Sequence, residues 1–253
     1  MIKWLRQEYE IIFEDGSGKM PVSRGKVHEY LGTTLDYTVS GQSRITMMSY
    51  IAEIITAFDK AYPKGKGTKS SADPKNIFVI NEDCKKMDQD KVVESQNIVA
   101  KTLYATRRER PDTCTSITFL TTRVQSTAED NCAKLLHLML YLRGTRNISP
   151  TLSANGSGIL KWWVDESFSV HPNMRGNPGG GLSLGRGSPI ISSTKQKINT
   201  KSSTEIEIVS IDNFMPAICW NRYFIAAQGY NVRDNRLHQD NKSSIILEKN
   251  GKA

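Results

Sequence analysis

Acidic residues at three places, far apart in the chain, have the residue type and spacing that metal-ion chemistry needs. Asp165 lies in a stretch typical of a strand, and Asp240 follows a second such stretch. Between them, Glu205 and Glu207 stand near a possible helix start. Carboxylate oxygens are the ligands that Mg²⁺ prefers, and paired metal ions can stabilise both oxygens of a phosphoryl hydrolysis. Spacing alone leaves this chemistry open, because single acids near strand ends are common.

The segment 201–211, KSSTEIEIVSI, is compatible with two structures. Its glutamates alternate with isoleucines, which is typical of a half-buried strand. The preceding Ser-Ser-Thr-Glu instead favours a helix with Ser202 as N-cap and Glu205 as the third helical residue. In a helix, Glu207 lies about 200° around the axis from Glu205. Either glutamate could then face a metal ion, but the two could not face the same one.

Composition limits the classes of protein that the chain can belong to. The 253 residues carry a formal charge of +8, which favours a polyanionic partner such as nucleic acid. Four scattered cysteines exclude zinc-ribbon spacing and are typical of a reducing compartment. No apolar run is long enough for a membrane span, and the charged N-terminus does not resemble a signal peptide. We therefore expect an intracellular protein, in the cytoplasm or the nucleus.

The first 150 residues predict a short β region followed by helices. Residues 25–47 predict two strands around a turn at 40–42. A loop at 62–76 is rich in Gly, Lys and Ser but lacks the phosphate-loop spacing. A possible helix at Pro111 is opposed by the β-branched residues that follow it. Three helices are predicted, at 51–58, 90–107 and 126–144. The first has apolar residues at i, i+3, i+4 and i+7. The third has Ser126 and Glu129 as a capping box, and one of its faces carries Cys132, Leu135, Leu136, Met139 and Leu142.

A polar break at 146–158 predicts a domain boundary. Residues 159–170 predict a strand, in which we expect Trp162 and Trp163 to be core residues. The glycines at 179, 181 and 185 miss the dinucleotide-binding spacing by one residue, so we interpret them as tight β turns. The chain then predicts a helix from about 202, a strand ending at Asp240 and a helix beginning at 241–244. The fold class expected from these elements is α+β or α/β.

Three blocks in the second half resemble the successive acidic motifs of the ribonuclease H domain of Ty1/copia-type retrotransposon polyproteins. They are WWVDESFSVH, STKQKINTKSSTEIEIVSIDN and HQDNKSSIILEKNG. Upstream, HEYLGTTLDYT resembles the late palm of the reverse transcriptase of the same polyproteins. RRERPDTCTSITFLTTRV and KLLHLMLYLRGT resemble its thumb and connection. The blocks keep the family order over nearly the whole chain.

The resemblance implies three regions and one reaction. Residues 1–60 would be a late palm segment, 61–150 a helical thumb and connection, and 157–253 a ribonuclease H-like domain with a mixed sheet flanked by helices. The implied reaction is hydrolysis of the RNA strand of an RNA–DNA hybrid with two Mg²⁺ ions, for which Mn²⁺ could substitute. The aspartate pair of the polymerase would precede Met1 and the fourth ribonuclease H acid would follow Ala253. We therefore expect no polymerase active site and a C-terminally truncated ribonuclease H domain.

The resemblance also assigns residues to roles. Asp165, Glu207 and Asp240 would be the catalytic metal ligands, because Glu207 with Ile208 and Ser210 fits the family frame and Glu205 does not. Glu205 would cap the helix. The predicted phosphate-facing residues, for which an ordinary solvated surface is the alternative, are Lys195, Lys197, Lys201, Arg175 and Arg186.

Several residues depart from the family pattern. Glu166 replaces a small residue and would point to the same side as Val164 and Phe168, where an unpaired carboxylate is costly. Ile206 and Ser210 stand where the family has alanine, and Pro216 would kink the helix. Two alternatives therefore remain: a catalytically inactive nucleic-acid-binding remnant, and an unselected open reading frame without a cellular role.

Overall fold

The computed structural model describes residues 2–10, 18, 20, 22–62, 65 and 67–251. In this part of the chain the fold is α+β, with two sheets and seven α-helices. The helices are α1 (Ile2–Tyr9), α2 (Met48–Ala61), α3 (Gln89–Thr106), α4 (Cys114–Thr121), α5 (Glu129–Gly144), α6 (Ser203–Ala227) and α7 (Lys242–Asn250). The strands are β1 (Val27–Tyr30), β2 (Thr33–Asp36), β3 (Ser43–Thr46), β4 (Thr151–Ala154), β5 (Ile159–Ser167), β6 (Asn177–Ser183), β7 (Gly185–Arg186), β8 (Ile190–Ser193) and β9 (Asp234–His238).

Helices α2 to α5 pack around one apolar cluster, which we call the helical core. The helices predicted at 51–58, 90–107 and 126–144 are confirmed as α2, α3 and α5, apart from the start of the last. Segment 114–121 is also helical despite its β-branched residues, because burial of Ile117, Phe119 and Leu120 outweighs their weak helix propensity. The cluster consists of Ile51, Ile54, Ile55, Phe58, Ile98, Val99, Ala105, Ile117, Leu120, Leu135, Leu138, Met139 and Leu142.

The predicted capping box at the start of α5 is wrong. Ser126 lies in a separate 3₁₀ turn, and the helix begins at Glu129 with Ala128 as a cap that offers no side-chain acceptor. The Glu129 amide instead donates to the Lys85 carbonyl at 3.1 Å. A backbone partner 44 residues earlier in the printed sequence therefore replaces the local cap.

The β region near the N-terminus contains three strands rather than the predicted two. An additional tight turn separates β1 from β2, with Leu31 and Gly32 both at positive φ, 49° and 71°. The turn predicted at 40–42 connects β2 to β3 and is confirmed. In the predicted loop 62–76, positions 63, 64 and 66 lie outside the described residues, and the others contain no helix or strand.

A five-stranded sheet with the order β1-β2-β3-β4-β7 joins distant parts of the chain. All of its neighbouring strands are antiparallel. Strand β4 lies inside the predicted polar break and pairs with β3 on one side, where Ser43 is opposite Leu152. On its other side Ser153 is opposite Arg186 of β7. The break is therefore an ordered connection and contributes a strand of its own.

The second sheet has four strands in the order β8-β6-β5-β9. Strands β8, β6 and β5 are antiparallel, whereas β9 is parallel to β5 and follows the long crossover helix α6. Helix α6 covers one face through Ile211, Phe214 and Ile218, which pack against Leu160, Trp162, Val164 and Leu182. Pro216 lies inside α6, which continues through it to Ala227.

Gly179 and Gly181, which were interpreted as turns, lie instead within β6 together with Gly180, and Gly185 lies in β7. A Cβ at Gly180 would come within 2.9 Å of the Phe214 ring, and one at Gly181 would come within 2.9 Å of the Ile190 carbonyl. The glycines therefore allow α6 and β8 to approach the strand closely.

Among the described residues, no helix is long and apolar enough to cross a membrane.

Candidate metal centre

Asp165 projects from β5, a central strand of the four-stranded sheet. Successive side chains of a strand point to opposite faces, and here Trp162 and Val164 are inside while Trp163 and Asp165 are outside. The Asp165 Oδ1 accepts a hydrogen bond from the Glu166 amide at 2.9 Å. The first predicted acid thus stands near the C-terminal end of its strand, on the accessible side.

The segment 201–211 begins a helix, as the capping signature predicted. The Ser202 hydroxyl accepts the Glu205 amide at 3.1 Å, and the Glu205 carboxylate accepts the Lys201 amide at 2.7 Å. These two bonds satisfy amides at the start of α6 that have no partner within the helix. Glu205 is exposed and occupied with this cap, whereas Glu207 is buried against the sheet.

Asp240 lies at the same place, two residues beyond the end of β9, which stops at His238 and not at Asp240 as predicted. Because β9 is parallel to β5, the C-terminal ends of the two strands lie at one edge of the sheet. Asn241 then caps α7 by accepting the Ser244 amide at 3.0 Å. The Ser244 hydroxyl donates to the Thr204 carbonyl at 3.2 Å, so α7 is tied to the first turn of α6.

The structure brings the three predicted ligands together. One carboxylate oxygen from each of Asp165, Glu207 and Asp240 lies within 4.8 Å of the others, although the residues are separated by 42 and 33 positions in the printed sequence. Three converging carboxylates are a donor set suited to a hard divalent cation. This acidic triad could therefore hold a metal ion.

The electrostatics of the triad favour a bound cation. Burial raises the pKa of Glu207, and the neighbouring charges of Asp165 and Asp240 raise it further. The Gln239 side chain opposes this shift by donating to Glu207 Oε2 at 2.9 Å. Gln239, which directly precedes Asp240 in the sequence, therefore orients the Glu207 carboxylate. The contact could not be predicted from the sequence, where the only indication is that Gln239 stands beside Asp240.

Glu166 is a fourth carboxyl group beside the triad, and its burial confirms the awkward environment expected from the sequence. Only 9% of the residue is exposed, and neither carboxylate oxygen has a hydrogen-bond partner among the described residues. The Ser210 hydroxyl lies nearby without completing a hydrogen bond. Burial, and then the charge of Glu207, raise the pKa of Glu166 to about 8. Phe168, expected on the same side, lies beyond the strand end and is exposed.

The five predicted phosphate-facing residues lie in different places. Lys195, Lys197 and Lys201 lie in the segment that connects β8 to α6, and Arg175 lies in the loop between β5 and β6. Arg186 is on β7 and therefore belongs to the five-stranded sheet, not to the sheet that carries Asp165.

The two tryptophans of β5 have different environments. Trp162 is fully buried, as predicted. The core prediction is wrong for Trp163, which is 48% exposed and stacks on His238, with ring centroids 5.0 Å apart. Strand alternation requires this difference, since neighbouring residues cannot both face α6.

No protein-family model matches the chain, and a search of curated proteins finds no similar sequence. A functional assignment therefore depends on the geometry of the acidic triad and on the motif resemblance.

Proposed function

We propose that the chain is a fragment of a Ty1/copia-type reverse transcriptase and ribonuclease H, and that the acidic triad cleaves the RNA strand of an RNA–DNA hybrid. The C-terminal part, 157–253, would be a ribonuclease H-like domain. The strands before residue 60 would be the end of a palm, and the helical core would be a thumb and connection. The partner implied is nucleic acid, in agreement with the positive charge of the chain.

One observation supports this proposal above the others. Three motifs were identified from the resemblance in the order strand, helix start and strand end, and their acids converge within 4.8 Å. If the motifs matched by chance, their acids would have no reason to lie close together in the folded chain. The mixed sheet with α6 against it is also the kind of sheet that the resemblance implies.

The residues of the triad would divide the work. Asp165, Glu207 and Asp240 would hold two Mg²⁺ or Mn²⁺ ions, which when bound lower the pKa of the attacking water and stabilise the leaving oxygen. Gln239 would keep Glu207 in position through its 2.9 Å hydrogen bond. Glu205 would act only on the helix start, because its carboxylate accepts the Lys201 amide.

A cleavage assay on a labelled RNA–DNA hybrid, with Mg²⁺ or Mn²⁺, tests the proposal. We expect cleavage of the RNA strand that EDTA abolishes. Asp165→Asn and Glu207→Gln each remove a charged ligand, and we expect a loss of at least about a hundredfold, because metal ions supply several kcal/mol of transition-state stabilisation.

Glu205→Gln is the matched control, since it makes the same chemical change two residues away from Glu207. We expect this variant to retain cleavage within about threefold, because a neutral amide oxygen can still accept the Lys201 amide. Equal loss in both glutamine variants would contradict the assignment of Glu207 to the metal. A rise in melting temperature with Mn²⁺, absent in Asp165→Asn, provides a readout that is independent of activity.

A second candidate is a nucleic-acid-binding remnant without cleavage activity. It is favoured by Glu166, whose buried carboxyl group adds a further acid beside Glu207 where the family has a small residue. Salt-dependent binding of the hybrid without any cleavage would support this candidate.

A further inference from the structure

Three basic residues lie in segments that meet near the edge of the four-stranded sheet. Arg123 follows α4, Arg175 lies in the loop between β5 and β6, and Lys195 follows β8. We call these three residues the basic cluster. Arg123 belongs to the helical part of the chain and was not among the residues predicted to face phosphate.

Backbone and side-chain contacts bring the three segments together. The Gln196 amide donates to the Gly176 carbonyl at 3.0 Å, which places Lys195 beside the loop that carries Arg175. The Thr118 hydroxyl donates to the Ser193 carbonyl at 2.9 Å and anchors α4 to the end of β8. These two hydrogen bonds hold the segments that carry the three residues beside one another.

Within the described part of the chain, the basic cluster has no acidic partner. None of its three residues forms a salt bridge there, and the Nε atoms of Arg123 and Arg175 are buried without a hydrogen-bond acceptor. Two other partly buried cations do have carboxylate partners, in the pairs Lys134–Asp130 and Arg143–Asp59. A buried donor without a partner costs free energy, and cations held together repel one another.

Two further observations describe the surroundings of Lys195. Gln196 is 2% exposed, and neither atom of its amide group has a partner among the described residues. Burial, and then the charges of Arg175 and Arg123, lower the pKa of Lys195. An anion between these side chains would supply acceptors for the guanidinium groups and reduce the repulsion.

We propose that the basic cluster binds a phosphodiester group of the nucleic acid whose cleavage site lies at the acidic triad. This inference rests on the proposed function for the identity of the ligand. The cluster is close to the triad. Gly176 accepts the Gln196 amide and also packs against Glu166 and Ile206, with no room for a side chain of its own. Glu166 and Ile206 are the sequence neighbours of the triad residues Asp165 and Glu207. A nucleic acid strand could therefore contact both sites, and Arg123 would connect the helical core to the substrate.

Binding of a fluorescent RNA–DNA hybrid to the full chain, measured in EDTA at several salt concentrations, tests the inference. Each phosphate contact contributes about 0.9 to the slope of log affinity against log salt. We expect the double variant R123Q/R175Q to reduce the slope by about 2 and to weaken binding by roughly tenfold or more at moderate salt. An unchanged slope would overturn the inference.

Arg222→Gln is the matched control. Arg222 is exposed on α6, 15 residues beyond Glu207 and so about 22 Å along the helix axis. We expect its slope to change by less than about half a unit, because it loses general charge but no bound phosphate. A change as large as one contact in this variant would show that only net charge matters, and would also overturn the inference.

Folding and cleavage are measured separately. If thermal unfolding shows that R123Q/R175Q does not fold, R123Q alone is used, with an expected slope reduction of about 1. If R123Q/R175Q has the same slope as the wild type while the wild type cleaves the hybrid, the result counts against the basic cluster alone. Cluster-dependent binding without any cleavage would count against the proposed ribonuclease activity alone.

Discussion

The surroundings of the helical core and of the four-stranded sheet differ in whether their buried polar side chains have hydrogen-bond partners. In the helical core, Arg110 is 1% exposed but its guanidinium donates to Asp112 at 2.6 and 3.0 Å and to Thr145. In and beside the sheet, Glu166 and Gln196 are also buried, at 9% and 2% exposed, and their side chains have no partner among the described residues. Paired groups stabilise the region that contains them, whereas unpaired groups reduce its stability and are available to a ligand.

Glu109 is an exception inside the helical part. It is 1% exposed, neither of its carboxylate oxygens has a partner among the described residues, and the Met47 amide lies nearby without completing a hydrogen bond. Burial raises its pKa to about 7, against the opposing influence of Met47 and Arg110. The contrast between the regions is therefore one of degree, and three measurements test it.

The largest expected effect is in the helical core. Leu138→Ala removes a fully buried side chain from α5, and we expect the free energy of unfolding to fall by about 3 kcal/mol, from lost apolar burial and the cavity left behind. Urea unfolding measures this change. Leu136→Ala on the same helix, where the side chain is only partly buried, is the control and should cost much less. Equal losses would show that the helical core is not closely packed.

The next effect concerns Glu166 and depends on pH. Its folded-state pKa of about 8 lies above the ordinary value of 4.5, so the folded state retains a proton that the unfolded state has lost between these values. Stability should therefore fall as pH rises from about 4.5 to 8. Each pKa unit corresponds to about 1.4 kcal/mol, and nearby solvent reduces the total, so we expect Glu166→Gln to stabilise the protein by about 2.5 kcal/mol at pH 8.5 and by almost nothing at pH 4.

Unfolding of the wild type and the Glu166→Gln variant across this pH range provides the measurement. Asp212→Asn, at an exposed position of α6, is the control and should show no such dependence. A stabilisation independent of pH would mean that packing, and not charge, makes Glu166 unfavourable.

The smallest effect is expected for Glu109. Its pKa of about 7 also lies above the ordinary 4.5, so the stability that it contributes is complete below about pH 4.5 and is lost as pH rises to 7. We expect Glu109→Gln to stabilise the protein by about 1.5 kcal/mol at pH 8, with little effect at pH 4. Comparison of pH profiles for the two glutamine variants measures the difference between regions. A larger gain at Glu109 than at Glu166 would remove the contrast.

The sequence predicted those features that depend on local pattern. Helix α6, its Ser202 cap, the capping role of Glu205 and the position of Glu207 in the acidic triad followed from capping chemistry and helix geometry together with the motif. Trp163 was also predictable in principle, since a strand that buries Trp162 must turn its neighbour outward.

Features that depend on distant contacts could not be predicted from local pattern. The hydrogen bond from Gln239 to Glu207, the Lys85 carbonyl that replaces a cap on α5, and the burial that makes α4 helical all depend on residues far away in sequence. The basic cluster is of the same kind, because Arg123 comes near the segment of Lys195 only when α4 packs against β8.

Strand β4 has a consequence for the order in which the protein folds. Its pairing of Ser43 with Leu152 closes a loop of more than 100 residues, and its pairing with Arg186 requires chain beyond β6. Loop closure on this scale costs conformational entropy before any contact compensates for it, and such non-local pairing slows folding. The helical core can assemble from nearby segments while synthesis continues, but the five-stranded sheet cannot be completed until residue 186 has left the ribosome. Until then β1 to β3 present an open edge, which is where a chain arrested during synthesis would be expected to aggregate.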